Sequence, residues 1–378
     1  MHGDLPLTQE IFREAGVACY PMAGKTYEVK KGERQESEEF IPNFELLLTK
    51  LNELEQDMPL ATFLETFFAD EAHRPLREGV IKFAEGYDAA DIRKVSVLAL
   101  REEWLSGGAT NSFFPKGGYG QVMDFLAAEV QAAGGQIKLN CEIREVRWGT
   151  AQSEIIAADG QQYLATKVLI TVPLGVLLAP AGDQGHIRFS PPIHEKKAAL
   201  EVIGFGPVIK ILLEFKTAFW DDPALKEQAH QMPDLSFLLS DADPVPTWWT
   251  HAPNKTPLLT GWLAGPAALA LQHLPDEALV TQALESLGYI FSTCTAFLRQ
   301  HLQASLVCNW VADPFARGAY AYATVASGEA RHALAQPEQD VLFFAGEACY
   351  QGHAMGTVEA ALASGKETAQ QIIASAAR

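Results

Sequence analysis

Apolar positions follow a helical spacing through much of the first third of the chain. Over residues 41–105 they recur at i, i+3 and i+4, the spacing of helices that bury one face. Pro59 lies where such a helix would start, and Pro75 is expected to interrupt the run. Further helices are predicted over residues 122–132, 266–273 and 276–290.

Other segments carry the alternation or the continuous apolar runs of β-strands. Residues 137–143 alternate apolar and polar side chains, as a half-buried strand does. Residues 167–172 form a nearly unbroken apolar run that ends at Pro173 and predicts a buried parallel strand. The pattern as a whole predicts a mixed α/β (α+β) fold. Further strands, with antiparallel pairing, are predicted over residues 208–215, 235–239 and 258–263.

The C-terminal part combines a buried strand with a helix that begins a few residues later. The apolar run 341–345 is followed by Gly346-Glu347, then by Gly356-Thr357-Val358 and a helix of small residues. Such an arrangement places bare backbone N–H groups and the positive end of a helix beside a crevice. An electron-rich ring or a phosphate is expected to bind there.

Composition and charge limit the classes of protein to which this sequence can belong. The 47 acidic residues outnumber the 29 basic ones, and the net charge is −18. Such a surface argues against nucleic acid and anionic membranes as partners and attracts cationic ligands, although solubility alone also accounts for it. No apolar run reaches the about 20 residues of a membrane span. The acidic residues Asp4, Glu10 and Glu14 do not fit a targeting peptide.

Cysteine and histidine usage gives no indication of a metal site. The five cysteines are far apart without a CxxC pair, and the ten histidines show no ligand spacing. A reducing, cytoplasmic location without disulfides or zinc is therefore predicted.

Lys210 is the first candidate for chemistry. In the strand predicted over 208–215 the odd positions are apolar, whereas the other face carries Lys210 and Glu214. The residue pattern alone favours a solvated lysine over a buried functional one, because lysine is seldom fully buried. Trp310 and Tyr320 are the second candidates, in a segment that by itself indicates a turn with packed aromatic rings.

The order of these segments resembles the flavin-containing amine oxidases, a family that includes monoamine oxidases, polyamine oxidases and flavin-type lysine demethylases. The similar segments are FAGE followed by GTVEAALASG near the C-terminus, W..DP..RG.Y.Y at 310–322, and residues 203–210 followed by Phe219-Trp220. Residues 139–146 and 171–177 match two further strands of the family, in the same order.

The resemblance implies roles for individual residues. Lys210 would hold a water against flavin N5, Tyr320 would form an aromatic wall over the flavin, and Trp310 would help to close the site. Thr357 stands where the family has its second aromatic wall. Ala319 stands where monoamine oxidases attach the flavin, so the implied FAD is non-covalent. The residues expected to contact the cofactor are His2, Gly3, Ile143, Thr171, Pro173, Trp310, Gly346, Glu347, Gly356, Thr357 and Val358.

The family also has a strand–GxGxxG–helix unit that holds the FAD pyrophosphate, and this sequence starts with the segment that follows it. The loop Gly117-Gly118-Tyr119-Gly120 is not expected to replace that unit, because no strand is predicted before it. Losing three pyrophosphate contacts of about 1.5–3 kcal/mol each would weaken FAD binding by roughly 10³ to 10⁶. The parallel sheet would keep an open edge, which a partner chain or an oligomer would have to cover.

The resemblance implies the oxidation of an amine, and it also implies two discontinuous domains. Hydride would pass from the carbon next to the nitrogen of a small-molecule amine to flavin N5, and O2 would reoxidise the flavin to give H2O2. Two alternatives stay open: a flavoenzyme that oxidises C–C or C–O bonds, such as a desaturase, and a truncated non-catalytic remnant that needs a partner to bind FAD. The expected domains are an FAD domain over residues 1–20, 113–190 and 331–378, and a substrate domain over residues 21–112 and 191–330.

Overall fold

The structure, a computed structural model, describes residue 3 and residues 5–37, 41–106 and 112–376. Its helices are α1 Pro6–Glu14, α2 Phe44–Asn52, α3 Leu60–Phe67, α4 Arg74–Gly86, α5 Val97–Leu105, α6 Gly120–Ala132, α7 Leu174–Leu177, α8 His194–Val202, α9 Gly265–Leu271, α10 Asp276–Phe291, α11 Thr295–His301, α12 Ser327–Ala335 and α13 Val358–Ala376. Its strands are β1 Cys19–Pro21, β2 Lys25–Lys30, β3 Glu33–Glu36, β4 Phe113–Pro115, β5 Ile143–Arg147, β6 Ser153–Ala157, β7 Gln162–Ala165, β8 Val168–Ile170, β9 Arg188–Ser190, β10 Gly204–Gly206, β11 Val208–Phe215, β12 Leu235–Ser240, β13 Thr247–Trp249, β14 Leu258–Ala264, β15 Leu302–Asn309, β16 Tyr320–Tyr322 and β17 Leu342–Phe344.

A seven-stranded sheet holds the strand that carries Lys210. Its order is β15-β11-β14-β13-β12-β2-β3, antiparallel except for the pair β12–β2. The odd positions of β11 are fully buried in a core shared with α10, so Lys210 lies on the opposite face of the sheet. The predicted strands over 208–215, 235–239 and 258–263 are confirmed.

Helices α2 to α5 pack around a second core, and α4 also packs against β14 of the sheet. The helical prediction over 41–105 is confirmed. Pro59 is the N-cap of α3, next to the first helical residue. Pro75 lies in the first turn of α4, where a missing N–H leaves no hydrogen bond unmade. The expected interruption at Pro75 is therefore a helix start.

Smaller sheets lie under α13 and beside α8. Strands β7-β6-β5-β9 form one sheet, and β8 pairs in parallel with β17, which confirms the parallel strand predicted before Pro173. The strand predicted over 137–143 is wrong except at its last residue, because β5 begins at Ile143. Leu139 is 82% exposed and Ile137 is 44% exposed, so the apolar face of the predicted strand is not buried.

The loop Gly117-Gly118-Tyr119-Gly120 does follow a strand, contrary to the expectation from the sequence. Strand β4 precedes it and pairs with β1. A three-residue strand of this kind depends on its partner and is too short to show a periodicity of its own. Gly117 and Gly118 both have φ +80°, the conformation that glycine adopts without strain.

The mixed α/β fold predicted from the sequence is confirmed. No helix in the described ranges combines the length and apolar character needed to cross a bilayer. Within the same ranges, no group of three or more His, Cys, Asp or Glu side chains is placed to hold a metal ion. The boundaries of the two expected domains stay a prediction.

Candidate active site

A cavity of about 1600 Å³ lies between the seven-stranded sheet, the helices α4 and α5, and the segment that leads into α13. Lys210 of β11 and Tyr320 of β16 line it, and so do the residues Gly356–Val358. The structure therefore brings together two of the three expected catalytic residues and the expected flavin-contacting turn. Gly3 lines the same cavity, next to the start of α1.

The ammonium group of Lys210 is partly buried in an aromatic surrounding. Its Nζ lies 5.8 Å from the ring centroid of Trp249, and Trp262 stands opposite Lys210 in the register of β14. Burial lowers the pKa of Lys210, while the neighbouring Cys308 opposes that shift. Among the described residues no carboxylate pairs with this ammonium, so its N–H donors are available to a molecule in the cavity.

Tyr320 is held rigidly against the turn before α13. Its hydroxyl donates to the carbonyl oxygen of Tyr87 at 2.6 Å, and burial raises the pKa of Tyr320 well above its usual value. A Cβ placed on Gly356 would lie 3.1 Å from Cδ2 of the Tyr320 ring. The ring is therefore a neutral wall that packs directly on the backbone of the turn.

Glu347 joins that turn to β16. Its carboxylate accepts the N–H of Ala321 at 3.1 and 3.2 Å and the N–H of Gly356 at 3.0 Å. Burial raises the pKa of Glu347 to about 7, against the effect of these two donors. Its described contacts therefore cap backbone N–H groups of the turn and of β16.

Glu359, in the first turn of α13, fixes the start of α1. Its carboxylate accepts the N–H of Leu7 at 3.0 Å, and both the N–H and the hydroxyl of Thr8, at 2.7 and 2.8 Å. A carboxylate that accepts N–H groups at a helix N-terminus satisfies otherwise unpaired donors. This contact sets the segment that contains Gly3 beside the cavity.

The other expected contact residues divide into separate groups. A smaller cavity of about 190 Å³ is lined by Thr171, Pro173, Gly346, Glu347 and Ala319. It lies on the side of β8 and β17, and these residues are not among those that line the larger cavity with Lys210.

Trp310 and Ile143 lie among the lining residues of neither cavity in the described part of the chain. Trp310 is 43% exposed and follows the edge strand β15, where its N–H donates to the carbonyl of Val208 at 3.2 Å. Ile143 is half-buried on β5 opposite Ala157. His2 lies outside the described residues.

Two acidic residues of the cavity were not singled out from the sequence. Asp88, just after α4, and Glu103 of α5 both line the cavity and share a hydrogen bond. The other Asp88 oxygen, Oδ2, is buried without a partner among the described residues. Burial raises the pKa of both carboxyls, to about 7 for Glu103, which favours a proton shared between them. Asp88 follows α4 and Glu103 lies in α5, so no local pattern in the sequence indicates that the two carboxyls meet.

The comparisons with known proteins show the family and the fold of the chain. Residues 26–373 match the family described as flavin containing amine oxidoreductase, and the chain belongs to that family. Lysine-specific histone demethylase 1 homolog 3 of Arabidopsis thaliana is 32% identical over 302 residues, which cover 75% of this chain and 17% of that protein. Probable polyamine oxidase 5 of the same plant is 25% identical over 304 residues, which cover 68% of this chain and 54% of that protein.

Among solved structures, cyclohexylamine oxidase from Brevibacterium oxydans matches with a TM-score of 0.76 over 100% of this chain and 87% of that chain, at 17% identity. At this identity the match shows the fold. The chain spans about half or less of the length of the two curated relatives. The family implies a flavin cofactor and the class of oxidoreductases.

The residues at the turn before α13 fit a flavin ring. Gly356 has φ +79°, and a Cβ there would lie 3.1 Å from the Tyr320 ring, so glycine is the residue that fits this turn. The N–H groups of Thr357 and Val358 donate to no acceptor among the described residues, which leaves them for the polar edge of a ring. The Thr357 hydroxyl caps the N–H of Ala360 at 3.2 Å and holds the turn in place.

Proposed function

We propose that this protein is an FAD-dependent amine oxidase that binds its cofactor non-covalently. The observation that carries the proposal is one cavity lined by Lys210, by the Tyr320 ring and by the backbone of Gly356–Val358. A bound FAD would supply the hydride acceptor, and its reoxidation by O2 would release H2O2. The methyl group of Ala319 offers no nucleophile for covalent attachment, which supports the non-covalent form.

The side chains of the cavity have complementary tasks in this reaction. Lys210 donates hydrogen bonds to a water held beside the ring, where a positive group in a poorly solvated site acts strongly on developing charge. The Tyr320 face contacts the amine, and the bond of its hydroxyl to Tyr87 keeps the ring in position. The walls formed by Trp249 and Trp262 limit the access of bulk water.

The pair Asp88 and Glu103 supports an amine as substrate. Because the pair shares a proton next to an open cavity, an ammonium group of the substrate can take the place of that proton and form charge-assisted hydrogen bonds. A hydrocarbon substrate of a desaturase gains nothing from two buried carboxyls. The unpartnered Asp88 Oδ2 is the acceptor that such a cation would satisfy.

A test of the proposal combines a visible spectrum with product detection. The purified protein is mixed with FAD, and H2O2 release is followed with putrescine, benzylamine and a carotenoid as probes. A flavin spectrum that amines bleach without oxygen, with H2O2 formed in air, is the expected result. Protein that stays colourless with excess FAD, or that reacts with the carotenoid and with no amine, would overturn the proposal.

A further inference from the structure

His251 is a cavity residue that no step above uses. It follows β13 and lines the same cavity as Lys210. Its ring centroid lies 5.2 Å from that of Phe114 on β4, and neither ring nitrogen has a hydrogen-bond partner among the described residues. A half-buried imidazole with two free nitrogens on a cavity wall is available to exchange a proton with a molecule in that cavity.

The surroundings of His251 keep it neutral. Burial lowers the pKa of His251, and the positive charge of Lys210 lowers it further. Strands β4 and β13 contribute aromatic rings and no ionisable group, β1 contributes the phenol of Tyr20, and β11 contributes Lys210. The group is thus a base whose lone pair is free at neutral pH.

A base in the cavity has a task in amine oxidation, because the substrate nitrogen must lose a proton first. An alkylamine has an ordinary pKa near that of lysine, about 10.4, so it arrives as an ammonium ion. Loss of hydride from the neighbouring carbon requires the nitrogen lone pair, which the ammonium lacks. The pair Asp88 and Glu103 is assigned above to binding the ammonium, and Lys210 is a donor. Four other carboxylates of the cavity wall already have partners: Glu28 with Lys30, Glu78 with Arg74, Glu102 with His353, and Glu359 with the start of α1. Glu85 also lines the cavity, and burial raises the pKa of its carboxyl.

We propose that His251 is a catalytic residue that accepts the proton of the substrate ammonium. An N–H bond of the ammonium breaks, its electron pair stays on the amine nitrogen, and a new N–H bond forms on the imidazole. After the hydride has left the carbon, the proton passes from the imidazolium to solvent through the open side of the cavity. The nearby charge of Lys210 favours this release, because it destabilises the imidazolium. This inference rests on the function proposed above.

The first experiment measures anaerobic flavin reduction by putrescine and benzylamine in rapid mixing, from pH 6 to pH 10. The variant His251→Asn keeps a polar side chain and loses the base. We expect its second-order rate of reduction at pH 7 to fall by about 100-fold. The rate should recover toward the wild-type value near pH 10, where the free amine is abundant. His273→Asn, at an exposed position, is the matched control and should follow the wild-type profile.

The outcomes separate the two proposals. If no amine reduces the wild-type flavin, the function fails and the role of His251 fails with it. If amines reduce the flavin and His251→Asn keeps the wild-type pH profile, the function stands and the role of His251 is wrong.

A second experiment needs no cofactor and no turnover. Carbon-13-labelled histidine in the protein allows the pKa of His251 to be read by NMR titration, with its signal assigned from the His251→Asn variant. The substitution Lys210→Met should raise that pKa because it removes the neighbouring positive charge. An unchanged His251 titration would show that the two groups do not interact and would remove the basis of the inference.

Discussion

Lys210 is an ammonium group held among aromatic rings where solvent is scarce. Its position opposite Trp262 and near Trp249 follows from the alternation of β11, which places the odd residues in the core and the even ones toward the cavity. The sequence shows this alternation but not the aromatic partners, which come from two other strands. The charge is therefore costly to bury and is available for chemistry.

Replacing Lys210 tests its part in the reaction. Lys210→Met keeps the apolar stem and removes the ammonium, so we expect the rate of flavin reduction or reoxidation to fall by at least about tenfold. The melting temperature should stay the same or rise, because a buried charge is lost. Stopped-flow absorbance measures both half-reactions. Lys255→Met, at a side chain that is 77% exposed, is the control, and equal rates in the two variants would refute the role.

The role proposed for the pair Asp88 and Glu103 can be tested through the strength of amine binding. In the double variant Asp88→Asn and Glu103→Gln the ammonium loses its charged acceptors, so KM for putrescine should rise about tenfold or more. The exposed Asp124→Asn is the control for a change in net charge. Steady-state H2O2 release gives KM and kcat separately. A KM equal to that of Asp124→Asn would mean that the pair does not bind the substrate.

The raised pKa of Glu347 leads us to expect that the stability of the protein depends on pH. The pKa of Glu347 is raised from 4.5 to about 7 in the folded protein, so the folded state holds this proton more tightly than the unfolded one. The contribution to stability is complete below about pH 4.5 and is lost as the pH rises through 7. The variant Glu347→Gln does not titrate, so its stability relative to wild type should increase from pH 5 to pH 8.

Urea unfolding at several pH values measures that difference. We expect the change between pH 5 and pH 8 to be roughly 1–3 kcal/mol. Other groups titrate in the same range in both proteins and cancel in the comparison. A constant difference between Glu347→Gln and wild type would contradict the raised pKa.

At the scale of elements, the turn before α13 is shaped by one glycine. Gly356 has φ +79°, and a Cβ there would lie 3.1 Å from the carbonyl oxygen of Ala321 and from the Tyr320 ring. The turn, the strand β16 and the carboxylate of Glu347 thus form one packed unit. A change at Gly356 acts on all three.

Gly356→Ala should lower both stability and flavin affinity. The strained backbone and the crowded Cβ together should cost about 1–3 kcal/mol. Gly365→Ala, inside α13, is the control, because its Cβ meets nothing within 4 Å and alanine favours a helix interior. Thermal unfolding and FAD titration by fluorescence quenching measure the two effects. Equal stability of the two variants would contradict the packing described for the turn.

At the scale of the whole molecule, the net charge of −18 predicts a salt dependence. If this field steers ammonium substrates, kcat/KM for putrescine should fall several-fold between about 20 and about 200 mM salt. The rate of flavin reduction at saturating putrescine should not change, since steering acts on the encounter. A kcat/KM that is independent of salt would leave solubility as the role of the charge.

The sequence predicts those parts of the molecule whose pattern is local. The helices over 41–105, the strand that bears Lys210, and the turn before α13 were recognisable from periodicity, glycines and the order of motifs. Asp88, Glu103 and His251 were not, because tertiary packing alone brings their separate segments to one cavity. The failed strand over 137–143 shows the converse: alternation predicts a strand only where a partner surface covers one face.

The carboxylate of Glu359 accepts hydrogen bonds from Thr8 and Leu7, which lie 351 and 352 positions away along the chain. Closing a loop of that size has a large entropic cost before any contact repays it. The side of the cavity formed by the start of α1 and the first turn of α13 should therefore be among the last parts of the protein to become ordered during folding. A newly made chain would pass through a stage in which the sheet and the helices are formed but the cofactor site is not.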